Sequence, residues 1–295
     1  MKLLSPHAGW NDYEMVDSGG YEKLERFGKY IVRRPEPQAL WAKGLSDEEW
    51  KRLANASFIR QPGKFNDDRG DWFPKLGMPE QWKINYASGD LKFTMRLGLT
   101  SFKHVGVFPE QSANWDFIYE KTKAITGEKP KVLNLFAYTG GASLAACAAG
   151  AETVHVDSIK QVVSWARENM EASGLEGIRW MLDDALKFVE REVRRGNQYN
   201  GIILDPPAYG RGPNGERWVL EDNLAAILEG CSKLLKPTNS FLVLNLYSLG
   251  YSSIIAENLS KQFFGNPKHL EYGELFIPDS QGKKLPLGVF ARFSR

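Results

Sequence analysis

Residues 131–141, KVLNLFAYTGG, decide the fold. The apolar part reads as a buried strand, the chain then breaks into a small glycine-bearing loop, and SLAACAA at 143–149 reads as helix. Strand, tight turn and helix in that order present the backbone to a nucleotide-like ligand at the carboxyl end of a strand. Three later segments end in carboxylates at the same point of the pattern: TVHVDS at 153–158, WMLDDA at 180–185 and GIILDPPAYG at 201–210.

Around these segments strands and helices alternate. Strands are expected at 131–136, 153–157, 178–182, 200–205 and 240–247, and helices at 141–149, 159–173, 184–195 and 221–235. Alternation of this kind implies parallel strands joined by right-handed crossovers. After a helix near 252–264 the rhythm changes, because HLEYGELFI and LPLGVFARF flank the turn signal DSQG at 279–282 and predict an antiparallel hairpin at the sheet edge. The expected fold class is α/β: a doubly wound, seven-stranded, mostly parallel sheet with an antiparallel edge strand.

The first hundred residues have a different texture, dense in Trp, Tyr and Phe, with short alternating runs such as KYIVRR (29–34), WKINYA (82–87) and LKFTMRL (91–97). They predict a small β-rich, substrate-binding domain at 1–100 ahead of a catalytic domain at 101–295. The bridge HVGVFPEQSANWDFIYEKTKAI (104–125) reads as a short strand, a Pro-Glu turn and a helix with Trp115, Ile118, Tyr119 and Thr122 on one face.

Composition narrows the class. With 38 basic and 36 acidic residues in 295, no whole-protein field announces or excludes nucleic acid. Cys147 and Cys231 lie far apart, with no second pair to build a metal site or a disulfide framework, so a reducing, cytoplasmic setting is expected, without metal. The N-terminus lacks the apolar core of a secretory signal, and Gly140-Gly141 interrupts the one long apolar tract, so no membrane association is expected.

The loop FAYTGGAS (136–143) lets a ligand approach the backbone where Gly140 and Gly141 remove side chains. G-x-G-x-x-G is absent, which disfavours a pyrophosphate and with it a nicotinamide oxidoreductase. Asp157 can accept from both ribose hydroxyls, although Asp157 or Ser158 can equally cap the next helix. Asp183 and Asp184 offer one acid for an adenine amino group, with the backbone of Ala185 at the ring edge, and another for a helix cap. In Asp205-Pro206-Pro207-Ala208-Tyr209 two prolines without N–H groups hold carbonyls outward to accept from a planar amine on which Tyr209 can stack. Phe108, Phe136, Tyr138 and Tyr209 are candidate aromatic walls. Arg211 and Arg217, in the glycine-rich loop after that turn, are candidates to hold RNA phosphate, and a solvated loop explains them as well.

With these residues in view, the chain resembles the bacterial class I S-adenosylmethionine-dependent methyltransferases, Rossmann-like in fold, that modify cytosine C5 or guanine N7 of large-subunit ribosomal RNA. The resemblance covers about residues 104–247, on VFPEQ (107–111), NLFAYTGGAS (134–143), HVDSIKQVVSWARENM (155–170), DDALKFV (183–189) and ILDPPAYG (203–210). It implies S-adenosyl-L-methionine as cofactor, surrounded by Phe108, Pro109, Glu110, Gln111, Asn134, Phe136, Ala137, Tyr138, Thr139, Gly140, Gly141, Asp157, Ser158, Asp183, Asp184, Ala185 and Asp205. Asp205, Pro206, Pro207 and Tyr209 would then face the reacting base.

The sequence departs from the cytosine-5 pattern in two respects, the first being an N-terminal domain that does not look like the usual RNA-binding module of those members and the second a missing thiol. The attacking thiol expected just after the fifth strand is replaced by Asn245-Leu246-Tyr247-Ser248, and Cys147 and Cys231 read as packing residues. The expected reaction is therefore methyl transfer to a ring or exocyclic nitrogen of an RNA base, ribosomal RNA being favoured. Methylation of a protein or small molecule, and a non-catalytic RNA-binding factor, are the alternatives.

Overall fold

The computed structural model describes residues 1–60, 69–247 and 250–295. Its N-terminal part contains β1 (Lys2–Leu4), β2 (Tyr13–Gly19), β3 (Glu22–Phe27), β4 (Tyr30–Pro35), helix α1 (Asp47–Leu53), β5 (Ala56–Arg60), β6 (Gly70–Pro74), β7 (Gln81–Ser88) and β8 (Leu91–Gly98). Strands β2 to β6 form one sheet, and β7 and β8 a separate hairpin. Along β7 the alternation expected of a half-buried strand is present, with Trp82, Ile84 and Tyr86 inside and Lys83 and Asn85 outside.

The remainder follows the alternating pattern. A 3-10 turn (Pro109–Gln111) leads into α2 (Ser112–Lys123), then β9 (Lys131–Leu135), α3 (Gly141–Ala148), β10 (Glu152–Asp157), α4 (Lys160–Ala172), β11 (Ile178–Leu182), α5 (Ala185–Arg194) and β12 (Gly201–Leu204). A ribbon of β13 (Tyr209–Arg211) and β14 (Arg217–Val219) precedes α6 (Leu220–Leu234), β15 (Phe241–Leu246), α7 (Ser253–Phe264) and the hairpin β16 (Glu271–Pro278) and β17 (Lys284–Ser294). The central sheet runs β1-β16-β17-β15-β12-β9-β10-β11. Strands β9, β10, β11, β12 and β15 are mutually parallel, and β17 is antiparallel to both its neighbours.

Two features of the central sheet differ from the sequence expectation. The reversed strand lies inside the sheet and not at its edge: β17 is buried along almost its whole length, so it needs a partner on each side. The sheet also gains an eighth strand, because β1 pairs in parallel with β16 through Lys2↔Gly273 and Leu4↔Leu275. That pairing requires glycine at 273, where a Cβ would sit 1.7 Å from the Lys2 carbonyl oxygen. Three residues are too short to show a strand period in sequence.

The short strand expected near 104–108 does not form. There the backbone is held by loop contacts, Gly98 N–H to the Val105 carbonyl at 3.0 Å and the Thr139 hydroxyl to the Gly106 carbonyl at 2.7 Å. Helix α2 buries Trp115, Ile118, Tyr119 and Thr122 as its spacing requires.

Apolar burial falls on both faces of the sheet. One cluster joins Trp10, Tyr86 and Phe93 from the N-terminal region to Trp115, Val132 and Leu144, so a single core crosses residue 100. The other packs Leu133, Leu135, Ile202 and Leu204 against Phe188 and Leu228. Among the described residues no helix is long and apolar enough to cross a membrane.

Candidate active site

The carboxyl ends of β9, β10, β11 and β12 open on one cavity of about 320 Å³, within the range of sites for small ligands. Phe108, Glu110, Gln111, Phe136, Tyr138, Asp157, Ser158, Asp183, Asp184, Ala185, Asp205, Pro206, Pro207, Tyr209 and Arg211, expected from sequence, all line it. Asn134, Ala137, Thr139, Gly140 and Gly141 line a smaller adjoining void of about 50 Å³ beneath the loop. Pro109 faces a third small pocket, and Arg217 lines none of these three.

The loop after β9 is built under strain. Phe136 (φ 56°) and Tyr138 (φ 49°) occupy the left-handed region without being glycine, at a cost of about 1–3 kcal/mol each. Several bonds hold it: Tyr138 N–H to Asp157 Oδ2 at 2.9 Å, Ala137 N–H to the Val156 carbonyl at 3.1 Å, and Asn169 Nδ2 to the Thr139 carbonyl at 2.9 Å. Below it Asn134 donates to Ser143 Oγ at 2.9 Å, and that hydroxyl meets His155 Nδ1 at 3.0 Å. Asn134 and Thr139 are almost fully buried and shape the loop from beneath.

The fold itself also demands the glycine pair. Gly140 takes the left-handed conformation at the start of α3, and a Cβ on Gly141 would come within 2.7 Å of the Trp115 ring. Backbone turn and helix packing therefore account for both.

Each acid has a definite setting. Asp157 accepts from Tyr138 N–H and, at 3.0 Å, from Ile159 N–H, while Ile159 is the N-cap of α4, so neither Asp157 nor Ser158 caps that helix. Burial holds the Asp157 carboxyl above its ordinary pKa despite these donors. Asp184 caps α5 through Lys187 N–H at 2.9 Å, and Asp183 pairs with Arg191. Both acids thus have protein partners, where the sequence left one for an adenine amino group.

At the Asp-Pro-Pro turn two carbonyls are already occupied. Trp218 Nε1 donates to the Pro207 carbonyl at 2.7 Å, and Leu220 N–H to the Ala208 carbonyl at 2.9 Å. The Asp205 carboxyl, by contrast, has no donor among the described residues, and burial alone pushes it up to about 7. Glu110, 2 % exposed, is likewise held at about 7 by burial. The rise of Asp205 makes native stability fall as pH climbs from about 4 to about 7, since only the folded chain retains that proton there, and leaves it flat above.

Aromatic rings frame the opening. Phe108 lies against Tyr138 with centroids 5.2 Å apart, and Phe136 against Trp218 at 4.7 Å. Tyr209 is 70 % exposed at the rim. Trp218 is the main contributor missed in sequence, where the surrounding GERWV carries no motif. The glycine-rich loop expected after the turn is an ordered ribbon, with Arg211 opposite Arg217 and Gly212 N–H bonded to the Glu216 carbonyl at 2.8 Å. Both thiols are buried and pushed up by burial, Cys147 with its Sγ on the Glu176 carbonyl, so neither is a nucleophile. Asn245 and Tyr247 are described, and Ser248 lies outside the described residues.

The lining combines five carboxyls with one arginine, a poor host for pyrophosphate and a suitable one for a ligand bearing a sulfonium and an ammonium.

The profile of the S-adenosylmethionine-dependent methyltransferases matches residues 46–262. The crystal structure of the SAM-dependent methyltransferase from Agrobacterium tumefaciens is 39% identical, with a TM-score of 0.90 over 100% of this chain and 93% of that one. Ribosomal RNA large subunit methyltransferase K/L of Pseudoalteromonas atlantica is 30% identical over 235 residues, 75% of this chain and 32% of the relative. The protein of the same name from Shewanella frigidimarina is 29% identical over 173 residues, 56% of this chain and 23% of the relative. The chain thus spans about a quarter to a third of these curated relatives. Profile, fold and site agree, and the chain belongs to the S-adenosylmethionine-dependent methyltransferase family.

Proposed function

We propose that this protein methylates a nitrogen of an RNA base, ribosomal RNA being the favoured substrate, in the cytoplasm. The observation that carries the reading is the open Asp205 carboxyl at the Asp-Pro-Pro turn, in a cavity with no nucleophilic thiol among the described residues. The names of the ribosomal RNA relatives support the substrate class. S-adenosylmethionine supplies an electrophilic methyl group whose cationic sulfonium becomes a neutral thioether on transfer.

The chain's own part is positioning and electrostatics. Asp157 keeps lone pairs that would accept from ribose hydroxyls while it fixes the strained loop, and Asp183, Asp184 and Ala185 line the part of the cavity that would hold adenine. Gln111, Phe108 and Tyr138 line the same cavity and would help hold the cofactor, and Tyr209 at the rim would offer a ring to the incoming base. Arg211 and Arg217, paired across an ordered ribbon at the rim, present two cations to phosphate. Residues 1–100 serve as the substrate-facing domain and 101–295 as the catalytic one.

The test is methyl transfer from labelled S-adenosylmethionine into RNA purified from cells lacking the gene. Label in nuclease-sensitive material is expected. Label surviving nuclease, in protein or metabolite, would overturn the RNA reading.

A further inference from the structure

We infer that Asn114 is a positioning residue that turns the amides of Gln111 and Asn245 so that their N–H groups face the cavity, and that these donors hold the carboxylate of S-adenosylmethionine. The inference goes beyond the RNA reading, since it rests on the family's cofactor and not on the identity of the methyl acceptor. Gln111 ends the 3-10 turn, Asn114 lies in the first turn of α2, and Asn245 is close to the end of β15. All three line the void of about 50 Å³ beneath the loop.

One cation fixes the polarity of all three amides. A guanidinium has donors and no acceptor. Arg292, buried on β17, donates through Nη1 to Asn114 Oδ1 at 3.1 Å and to the Ala113 carbonyl at 2.8 Å, while its Nε donates to Glu271 Oε2 at 2.9 Å. With its oxygen engaged, Asn114 turns Nδ2 the other way, onto Asn245 Oδ1 at 2.9 Å and Gln111 Oε1 at 3.2 Å. The oxygens of both partner amides are thereby spent. Neither Gln111 Nε2 nor Asn245 Nδ2 meets an acceptor among the described residues.

A carboxylate is the ligand group that suits these donors, because an anionic acceptor makes the stronger hydrogen bond. Among the described residues that line the void there is no Lys, Arg or His, so the amides are its neutral donors for an anionic group. Asn114 and Asn245 are buried, whereas Tyr209 stands exposed at the rim. A macromolecular methyl acceptor arrives over the rim, and the ligand that reaches the inner amides is the cofactor. Gln111 also lines the larger cavity, so the donor edge is continuous with the site.

Asn114→Asp decides the matter. An aspartate keeps the volume and the contact with Arg292, but its second oxygen accepts, so Gln111 and Asn245 turn their N–H groups onto it and their oxygens onto the void. Binding is measured by calorimetry with S-adenosylmethionine and with its decarboxylated analogue, which keeps the sulfonium and the ammonium. N114D is expected to bind the first about 10- to 100-fold more weakly and the second within about threefold of wild type. Asn114→Leu leaves the amides free to turn and is expected to fall between wild type and N114D. A residue that only supports the fold would give the opposite order, N114L being the more damaging because it strands Arg292 Nη1, and would weaken both ligands alike. Either of those results overturns the inference, as does an N114D protein with wild-type affinity for S-adenosylmethionine. Should N114D fail to fold, Asn245→Ala is expected to weaken the carboxylate-bearing ligand alone, and equal losses for the two ligands overturn the inference. The calorimetry uses no methyl acceptor, so its outcome leaves the RNA reading where it stands.

Discussion

Replacing Asp205 by alanine is expected to lower kcat by about 10²- to 10⁴-fold while the enzyme still binds S-adenosylmethionine. The carboxyl has no protein donor among the described residues, so its removal breaks no hydrogen bond among them, and the prolines that fix the turn remain. The Pro207 carbonyl is engaged by Trp218 and the Ala208 carbonyl by Leu220 N–H, so neither is free to replace the lost acceptor fully. Asn at 205 keeps one acceptor oxygen and no charge, and is expected to fall between wild type and alanine. Single-turnover methylation of RNA beside calorimetry with the cofactor separates the outcomes. A loss confined to cofactor affinity, with kcat intact, would move Asp205 from the reacting base to the cofactor.

How far this site was legible in sequence depends on what each residue answers to. Strand ends were readable because buried parallel strands are continuous apolar runs and the acids that end them interrupt the run, as at Asp157 and Asp205. What a side chain does once placed was not readable. Asp184 and Asp183 look alike in sequence, yet one caps a helix and the other meets Arg191, eight residues on and two helical turns away. Gly141 was read as an opening for ligand, and the structure adds a constraint from Trp115, 26 residues earlier in the chain. Trp218 and the pairing of β1 with β16 share that cause, since both depend on long-range contacts that local pattern does not encode.

Arg34→Met is expected to destabilise the protein by about 3–5 kcal/mol, because it leaves a buried carboxylate with only the Tyr13 hydroxyl at 3.0 Å and Lys23 at 3.8 Å. Glu25 is fully buried, and Arg34 meets its Oε2 through Nε at 2.9 Å and through a second, shorter Nη2 contact. Arg34 Nη1 also donates to the Lys103 carbonyl at 3.1 Å, tying the N-terminal sheet to the segment that leads into the site. In the wild type, burial raises the Glu25 carboxyl but Arg34 and Lys23 hold it below its ordinary pKa. Its contribution is thus present above the unfolded pKa and lost as pH falls through the folded one. Without Arg34 burial dominates, the folded pKa moves above the unfolded value, and the variant's deficit grows as pH rises from 5 to 8. Urea denaturation at both pH values measures the two deficits, and Glu25→Gln combined with Arg34→Met should recover part of the loss, since no charge is then left unpaired. Equal deficits at pH 5 and pH 8, with no recovery in the double variant, would show that Arg34 acts through packing and not through its charge.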